Sequence, residues 1–129
     1  MLAGLKLLLV DDDASVRLAL HRLLKRAGAI VKELDPFGMR DDDLVHEICG
    51  CEPDVILMDV HLGDRGGISV WRQLVTGAPE LAPRVAFVTG LVAGDSTWIE
   101  ADSTGQPVLG KPFDLPQLMQ TLTRLRSND

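Results

Sequence analysis

The sequence predicts an α/β fold in which helices cover both faces of a parallel sheet. Two apolar runs of strand length, Leu5–Val10 and Val55–Met58, each end at aspartate, a pattern typical of strands that are buried on both faces. Segments with apolar residues at helical spacing lie between the predicted strands. Strands and helices alternate five times in this way, and such alternation requires right-handed crossovers and a doubly wound sheet.

Residues with strong structural preferences separate the predicted elements in the first half of the chain. Asp13 or Ser15 is the candidate N-cap of the first helix, and Gly28 ends that helix. Pro36 and Gly38 mark a turn after the second strand, and acidic residues suit the start of the helix that follows. The predicted elements are, in order, strand Leu5–Val10, helix Ala14–Ala27, strand Ala29–Leu34 and helix Asp42–Cys49.

The second half of the chain repeats the alternation, again with proline and glycine between the elements. Pro53 and Asp54 precede the third strand, and a glycine-rich turn, Gly63–Gly67, follows its terminal aspartate. Asp114 is the candidate N-cap of the last helix. The predicted elements are strand Val55–Met58, helix Ser69–Thr76, strand Arg84–Thr89, a weak helix Ser96–Ala101, strand Pro107–Gly110 and a helix after Asp114.

Length and composition indicate a single domain over residues 1–129. The 129 residues are 46% hydrophobic and 25% charged, which suits a chain that buries a core. The net charge of −6 argues against a nucleic-acid surface, since phosphate binding needs clustered Lys and Arg. Cys49 and Cys51 match no common zinc or disulfide spacing, and no run of about 20 apolar residues is present. We therefore expect reduced thiols, a cytoplasmic location and no direct contact with a membrane.

Polar residues follow four of the predicted strands at the points where those strands end. Asp11 and Asp12 follow the first strand, Asp59 follows the third, Thr89 closes the fourth, and Lys111 follows the fifth. We expect these side chains to meet, because ligands of such sheets bind at the carboxyl ends of the strands. Three neighbouring carboxylates require a cation, and Mg²⁺ prefers oxygen ligands of this kind. Together with Lys111, the ion forms a pocket for a phosphoryl group, and Asp59 can act as the nucleophile.

Other interpretations apply to some of these residues. For Asp13 alone, a role as helix cap is favoured over a role in the metal site. Lys111 in isolation is a surface lysine, but its position between a strand and Pro112 argues for a role in the site. Thr89 is the weakest candidate, since threonine is common in strands.

Four motifs together resemble the response regulator receiver family of two-component signalling. They are Leu-Leu-Val-Asp-Asp-Asp at 8–13, Asp59 after Val-Ile-Leu-Met, Val-Thr-Gly at 88–90 and Gly-Lys-Pro-Phe at 110–113. The resemblance extends over nearly the whole chain. It implies a flavodoxin-like, doubly wound sheet of five parallel strands in the order 2-1-3-4-5.

The resemblance also implies a chemistry for the acidic residues, with Mg²⁺ as the cofactor. Asp59 would take a phosphoryl group from a phosphohistidine on a histidine kinase, in trans or fused in cis, or on a histidine phosphotransfer protein. Asp12 would bind Mg²⁺ directly, Asp11 would bind it through water, and the backbone carbonyl of His61 would be a further ligand. The reaction would be self-catalysed phosphotransfer and autodephosphorylation, without the multiple turnover of an enzyme.

Further residues match or depart from the family pattern. Thr89 and Lys111 would hold phosphoryl oxygens, and the bond before Pro112 is expected to be cis. Gly63 stands where the family commonly has proline, so a looser loop is expected. Val108 stands where many receivers have Tyr or Phe, so any output would use Thr89 and the loop and weak helix that follow it.

The sequence leaves several alternatives open. The run 79–90, together with the glycine-rich and poorly helical segment 93–106, resembles receivers fused to the C-terminus of hybrid sensor histidine kinases, but a free-standing regulator would end in the same way. A degenerate receiver that acts only as a docking module and a domain that dimerises both stay open. A magnesium phosphatase is disfavoured because His61 stands where such enzymes have a second aspartate, and a nucleotide carrier is disfavoured by the acids after the first strand. Trp98 is either a local anchor or part of a partner surface.

Overall fold

Five parallel strands form the main sheet in a computed structural model, which describes residues 2–63, 65–90 and 94–127 of the chain. The strands of this sheet, numbered along the chain, are β1 Lys6–Val10, β2 Ile30–Leu34, β3 Val55–Asp59, β4 Val85–Thr89 and β5 Val108–Gly110. Their order is β2-β1-β3-β4-β5, and every neighbouring pair is parallel. The predicted doubly wound sheet and its 2-1-3-4-5 order are therefore confirmed.

Helices cover both faces of the sheet because alternate residues of the central strands point to opposite sides. The helices are α1 Ala14–Arg26, α2 Asp41–Cys51, α3 Gly67–Gly77, α4 Ser96–Asp102 and α5 Leu115–Ser127. Leu8 and Ile56 belong to a buried cluster on the side of α2 and α3. Leu7 and Leu57 belong to a second cluster on the side of α1 and α5. The sheet thus lies between two apolar layers.

The first helix begins and ends at residues that the sequence indicated. Asp13 is the N-cap of α1, and its Oδ1 accepts hydrogen bonds from the backbone N–H groups of Ser15 (2.9 Å) and Val16 (3.2 Å). Asp13, and not Ser15, is therefore the cap. Gly28 follows the helix with a φ of 101°, a backbone conformation that glycine adopts without steric cost.

The segment after β3 differs from the prediction. His61–Leu62 and Arg65–Gly66 form a short antiparallel hairpin where a glycine-rich turn, Gly63–Gly67, was expected, and residue 64 of that turn lies outside the described residues. Helix α3 begins at Gly67 instead of Ser69, and the Gly67 N–H, which has no acceptor within the helix, donates to the Val60 carbonyl at 2.7 Å. Strands of two residues are too short to show a periodic pattern in the sequence.

Two expectations about composition can be compared with the structure. Cys49 and Cys51 are both free and partly buried, which agrees with the expected reduced thiols. Within the described ranges, none of the helices combines the length and the apolar character needed to cross a bilayer.

Gly67 provides a test of the contact between α3 and the end of β3. A Cβ at position 67 would lie 2.1 Å from the Asp59 carbonyl oxygen, whereas a Cβ at Gly77, the last residue of the same helix, would meet nothing within 4 Å. We expect Gly67→Ala to lower the free energy of unfolding by about 3 kcal/mol. Gly77→Ala, the control, should change it by less than about 1 kcal/mol. Urea unfolding measures both, and equal midpoints for the two variants would contradict the contact.

Candidate functional site

Acidic and basic side chains from distant parts of the chain meet at the carboxyl edge of the sheet. Asp11 follows β1, Asp59 is the last residue of β3, and Lys111 follows β5. The Lys111 ammonium Nζ donates to Asp11 Oδ2 at 2.9 Å and to Asp59 Oδ2 at 2.6 Å. The predicted convergence of these three residues is therefore present in the structure.

The backbone of β4 and β5 holds the lysine in this position. Gly110 pairs with Thr89 across the two strands, and the Lys111 N–H donates to the Thr89 carbonyl at 2.7 Å. The Lys111–Pro112 peptide bond is cis, as the family resemblance implied. Thr89 is fully buried at the end of β4, and the residue before it in that strand pairs with Asp59. Thr89 and Lys111 therefore lie on the same edge as the carboxylates.

Three aspartates form a compact cluster of oxygen atoms. One carboxylate oxygen from each of Asp11, Asp12 and Asp59 lies within 4.8 Å of the other two. Asp11 is only 4% exposed, Asp12 is exposed, and Asp59 is intermediate. Oxygen ligands at 2.0–2.1 Å in octahedral geometry lie about 3 to 4 Å apart, so direct and water-mediated bonds from this cluster fit a magnesium ion. The predicted metal residues thus fit a hard divalent cation.

Burial and neighbouring charges act in opposite directions on Asp59. Burial raises the pKa of the Asp59 carboxyl, whereas the Lys111 ammonium and the His61 N–H, which donates to Oδ1 at 2.9 Å, lower it. The nearby Asp11 carboxylate raises it further, and the net pKa lies above the ordinary 3.8. The protein groups at this edge therefore do not fully compensate the charge of Asp59.

At Lys111, the neighbouring carboxylates affect the pKa more than burial does. Burial lowers the pKa of its ammonium group, but the hydrogen bonds to Asp59 and Asp11 and their negative charges outweigh burial, and the net pKa lies above the ordinary 10.5. Lys111 therefore remains charged at neutral pH.

The hairpin after β3 connects the site to the loop between β2 and α2. The Arg65 guanidinium donates to the carbonyl of Pro36 at 3.3 Å and to that of Met39, and it pairs with Asp41 at 2.8 Å. His61 contributes its N–H to Asp59, and its role as a carbonyl ligand stays a prediction. Arg65 lies within a segment that the sequence indicated only as a turn, so no sequence pattern identified it.

Trp98 anchors α4 against the last strand. Its ring carbons lie 3.3 to 3.4 Å from the point that a Cβ of Gly110 would occupy, and the side chain is half-buried. The structure thus favours the local anchor over the partner surface.

Val108 is also half-buried, and residues 91–93 of the loop expected to take part in output lie outside the described residues.

Comparisons with known proteins give one matching family model and several relatives. The sequence model of the response regulator receiver domain matches residues 7–123. The response regulator MprA of Mycobacterium sp. (strain KMS) is 33% identical over 127 residues, which cover 96% of this chain and 53% of MprA. The sensory transduction protein LytT of Bacillus cereus is 28% identical over 95% of this chain and 47% of LytT. The chain therefore spans about half the length of these curated relatives.

A solved structure has the same fold. It is a response regulator protein from Burkholderia pseudomallei with a phosphorylated aspartic acid, a calcium ion and citrate. The two chains superpose with a TM-score of 0.73 at 26% identity, over 97% of this chain and 71% of that one.

The ion pairs of Lys111 predict a pH-dependent contribution to stability. Lys111→Met leaves Asp11 and Asp59 facing each other without the ammonium, and we expect it to lower the free energy of unfolding at pH 7 by about 1–3 kcal/mol. Because the pKa of folded Lys111 is raised, its contribution is fully present below pH 10.5 and is lost as the pH rises through the raised pKa. The difference between the two proteins should therefore be constant from pH 7 to about 9 and shrink above 10.5.

Urea unfolding in EDTA over this pH range measures the difference. Lys6→Met removes an exposed lysine at the opposite end of β1 and is the matched control, for which we expect little change at any pH. If the difference in free energy of unfolding between wild type and Lys111→Met disappeared below pH 9, the stabilising role of the Lys111 ion pairs would be contradicted.

Proposed function

The chain belongs to the response regulator receiver domain family, and on that premise we propose that Asp59 accepts a phosphoryl group from a phosphohistidine in a magnesium-dependent reaction. The observation that carries the proposal is the pairing of Lys111 Nζ with Asp11 and Asp59 beside the three-carboxylate cluster. A fixed ammonium next to a divalent-ion site is suited to the charge that develops in phosphoryl transfer.

We propose that the acidic cluster holds Mg²⁺. Asp12 and Asp59 would bind the ion directly, Asp11 would bind it through water, and the carbonyl of His61 would complete the protein ligands. The difference in burial supports this division, because Asp12 is exposed and Asp59 intermediate, whereas Asp11 is buried and accepts hydrogen bonds from Lys111 and from the Asp13 N–H at 2.9 Å. When bound, the ion would neutralise phosphoryl oxygens and orient the donor.

In the proposed reaction, the residues of this chain act on the phosphoryl group directly. A carboxylate oxygen of Asp59 forms the new P–O bond while the P–N bond of the phosphohistidine breaks, and the imidazole leaves with the electron pair. The Lys111 ammonium and the Thr89 hydroxyl would bind oxygens of the transferred group. Support comes from their positions, since Lys111 Nζ already lies 2.6 Å from Asp59 Oδ2 and Thr89 ends the adjacent strand.

A solved relative supports an aspartate as the acceptor. The Burkholderia pseudomallei protein holds a phosphorylated aspartic acid and a calcium ion on the same fold. Calcium and magnesium both take oxygen ligands, and they differ in size and geometry. We propose that this chain likewise holds a phosphorylated aspartate and a divalent cation.

The partners follow from the donor chemistry. We propose a histidine kinase or a histidine phosphotransfer protein as the donor, in the cytoplasm, with phosphotransfer and autodephosphorylation as the self-catalysed reactions. Both a receiver within a hybrid kinase and a free-standing regulator fit this proposal.

Phosphorylation of Asp59 is tested directly with acetyl phosphate and Mg²⁺. We expect the mass of the intact protein to increase by one phosphoryl group, and Asp59→Asn to abolish the increase. The amide should not destabilise the fold, because burial already disfavours the charged form of Asp59. Asp54→Asn is the control and should still be labelled, since Asp54 lies at the opposite end of β3 and accepts a hydrogen bond from the Lys6 N–H. Undiminished labelling of Asp59→Asn would refute the site, and an unlabelled wild type would favour a docking module.

Metal binding is tested at the neighbouring aspartates. We expect Asp12→Ala to weaken Mg²⁺ binding by about tenfold or more, because it removes the most accessible carboxylate of the cluster. Asp13→Ala, the control, removes the N-cap of α1, so it should cost about 1 kcal/mol of stability and leave the Mg²⁺ affinity unchanged. Calorimetric titration measures the affinity, and equal Mg²⁺ affinities for wild type and Asp12→Ala would exclude Asp12 as a ligand.

A further inference from the structure

We propose that Phe37 is a specificity-determining residue for the phosphoryl donor, and that its ring contacts the planar aromatic leaving group of a phosphohistidine. This inference rests on the proposed function of Asp59. It concerns a cleft at the mouth of the site, which we call the Phe37 cleft and which is lined by Asp12, Phe37, Gly38, Leu62 and Gly63.

Phe37 is unusual among the three phenylalanines of the chain. Its side chain is 87% exposed, whereas Phe87 is fully buried and Phe113 is partly buried against the core. A single exposed apolar side chain is common on protein surfaces and indicates nothing by itself. The position of Phe37 beside the acidic cluster carries the argument.

The Phe37 cleft borders the acidic cluster through Asp12. It has a volume of about 350 Å³, which is large enough for a small planar group. Asp12 lies in its wall, and the carboxylate of Asp12 is within 4.8 Å of that of Asp59. Gly38 and Gly63 have φ values of 77° and 66°, a region that L side chains rarely adopt. Because glycine has no side chain, neither residue fills the space between the aromatic ring and the acids, whereas a Cβ at position 63 would lie 3.4 Å from Asp12 Oδ2.

Hydrogen bonds on both sides hold the wall that carries Phe37. Its N–H donates to Asp35 Oδ1 at 3.0 Å, and the Met39 N–H donates to the Pro36 carbonyl at 3.0 Å. Arg65 then ties the same loop to the hairpin after β3, through the carbonyls of Pro36 and Met39. The two walls are thus connected before a donor binds, which reduces the entropy lost on binding.

A phosphohistidine fits this arrangement better than a donor without a ring. As the P–O bond to Asp59 forms and the P–N bond breaks, the ring, already protonated from solvent on its other nitrogen, keeps the P–N electron pair and leaves as neutral imidazole. Aromatic rings prefer offset or edge-to-face contact, and a protonated imidazole is also attracted to the face of a phenyl ring. Acetyl phosphate offers no ring to Phe37. The contribution of Phe37 should therefore depend on the leaving group.

The test compares two small donors on the intact chain. Rates of phosphorylation with phosphoimidazole and with acetyl phosphate are measured by mass spectrometry at saturating Mg²⁺. We expect Phe37→Ala to slow the reaction with phosphoimidazole by about three- to tenfold, the range that one aromatic contact supplies, and to leave the rate with acetyl phosphate unchanged. Phe37→Tyr should retain the wild-type rates, because it keeps the ring.

Ile99→Ala is the matched control, because Ile99 is also an exposed apolar residue, 57% exposed on α4. It should change neither rate. Equal slowing with both donors, or no slowing with phosphoimidazole, would overturn the role of Phe37 while labelling of the wild type upholds the proposed function. A wild type that neither donor labels would overturn both.

Discussion

Uncompensated negative charge at the carboxyl edge of the sheet is the constraint on which the rest of the site depends. Asp11, Asp12 and Asp59 bring three carboxylates together, and Lys111 supplies one ammonium group among them. A buried charge is costly unless it is paired, and burial keeps the pKa of Asp59 above its ordinary value even beside Lys111. The apolar strands β1 and β3, buried on both faces, hold the carboxylates close despite their repulsion. This excess charge is the physical basis of the magnesium site that we propose.

The lysine that faces this charge is held by backbone contacts as well as by its two ion pairs. Its N–H bonds to the Thr89 carbonyl, and the preceding Gly110 pairs with Thr89 in the sheet. Trp98 of α4 packs on Gly110 so closely that a Cβ at position 110 would lie 3.3 to 3.4 Å from its ring carbons. α4 therefore contacts the strand beside the site through its own tryptophan. The position of α4 and the position of Lys111 are thus connected by one packing contact.

The sequence was sufficient to predict the sheet and the meeting of Asp11, Asp59 and Lys111, because buried apolar strands followed by polar residues are a local pattern. Strand boundaries were less accurate, and four of the five strands begin one residue later than predicted. Ala29 shows the reason, since it is buried like a strand residue but precedes the first ladder pair, Lys6 with Ile30. The hairpin could not be predicted because its strands have only two residues each, too few to show a periodic pattern. The bonds of Arg65 and the cleft could not be predicted because they depend on contacts between loops that are distant in sequence.

Three consecutive aspartates show how the fold gives identical residues different tasks. Asp13 caps α1, and Asp11 is buried with one oxygen on the Asp13 N–H and the other on Lys111. Asp12 lies between them, exposed and in the wall of the Phe37 cleft, where a Cβ of Gly63 would stand 3.4 Å from its Oδ2. A cation can therefore bind Asp12 without displacing the cap of α1 or the ion pair of Asp11. Because Asp12 is the exposed carboxylate of the cluster, it can take a direct place in the shell of the proposed ion beside Asp59 while Asp11 keeps its bonds to Lys111 and to the Asp13 N–H.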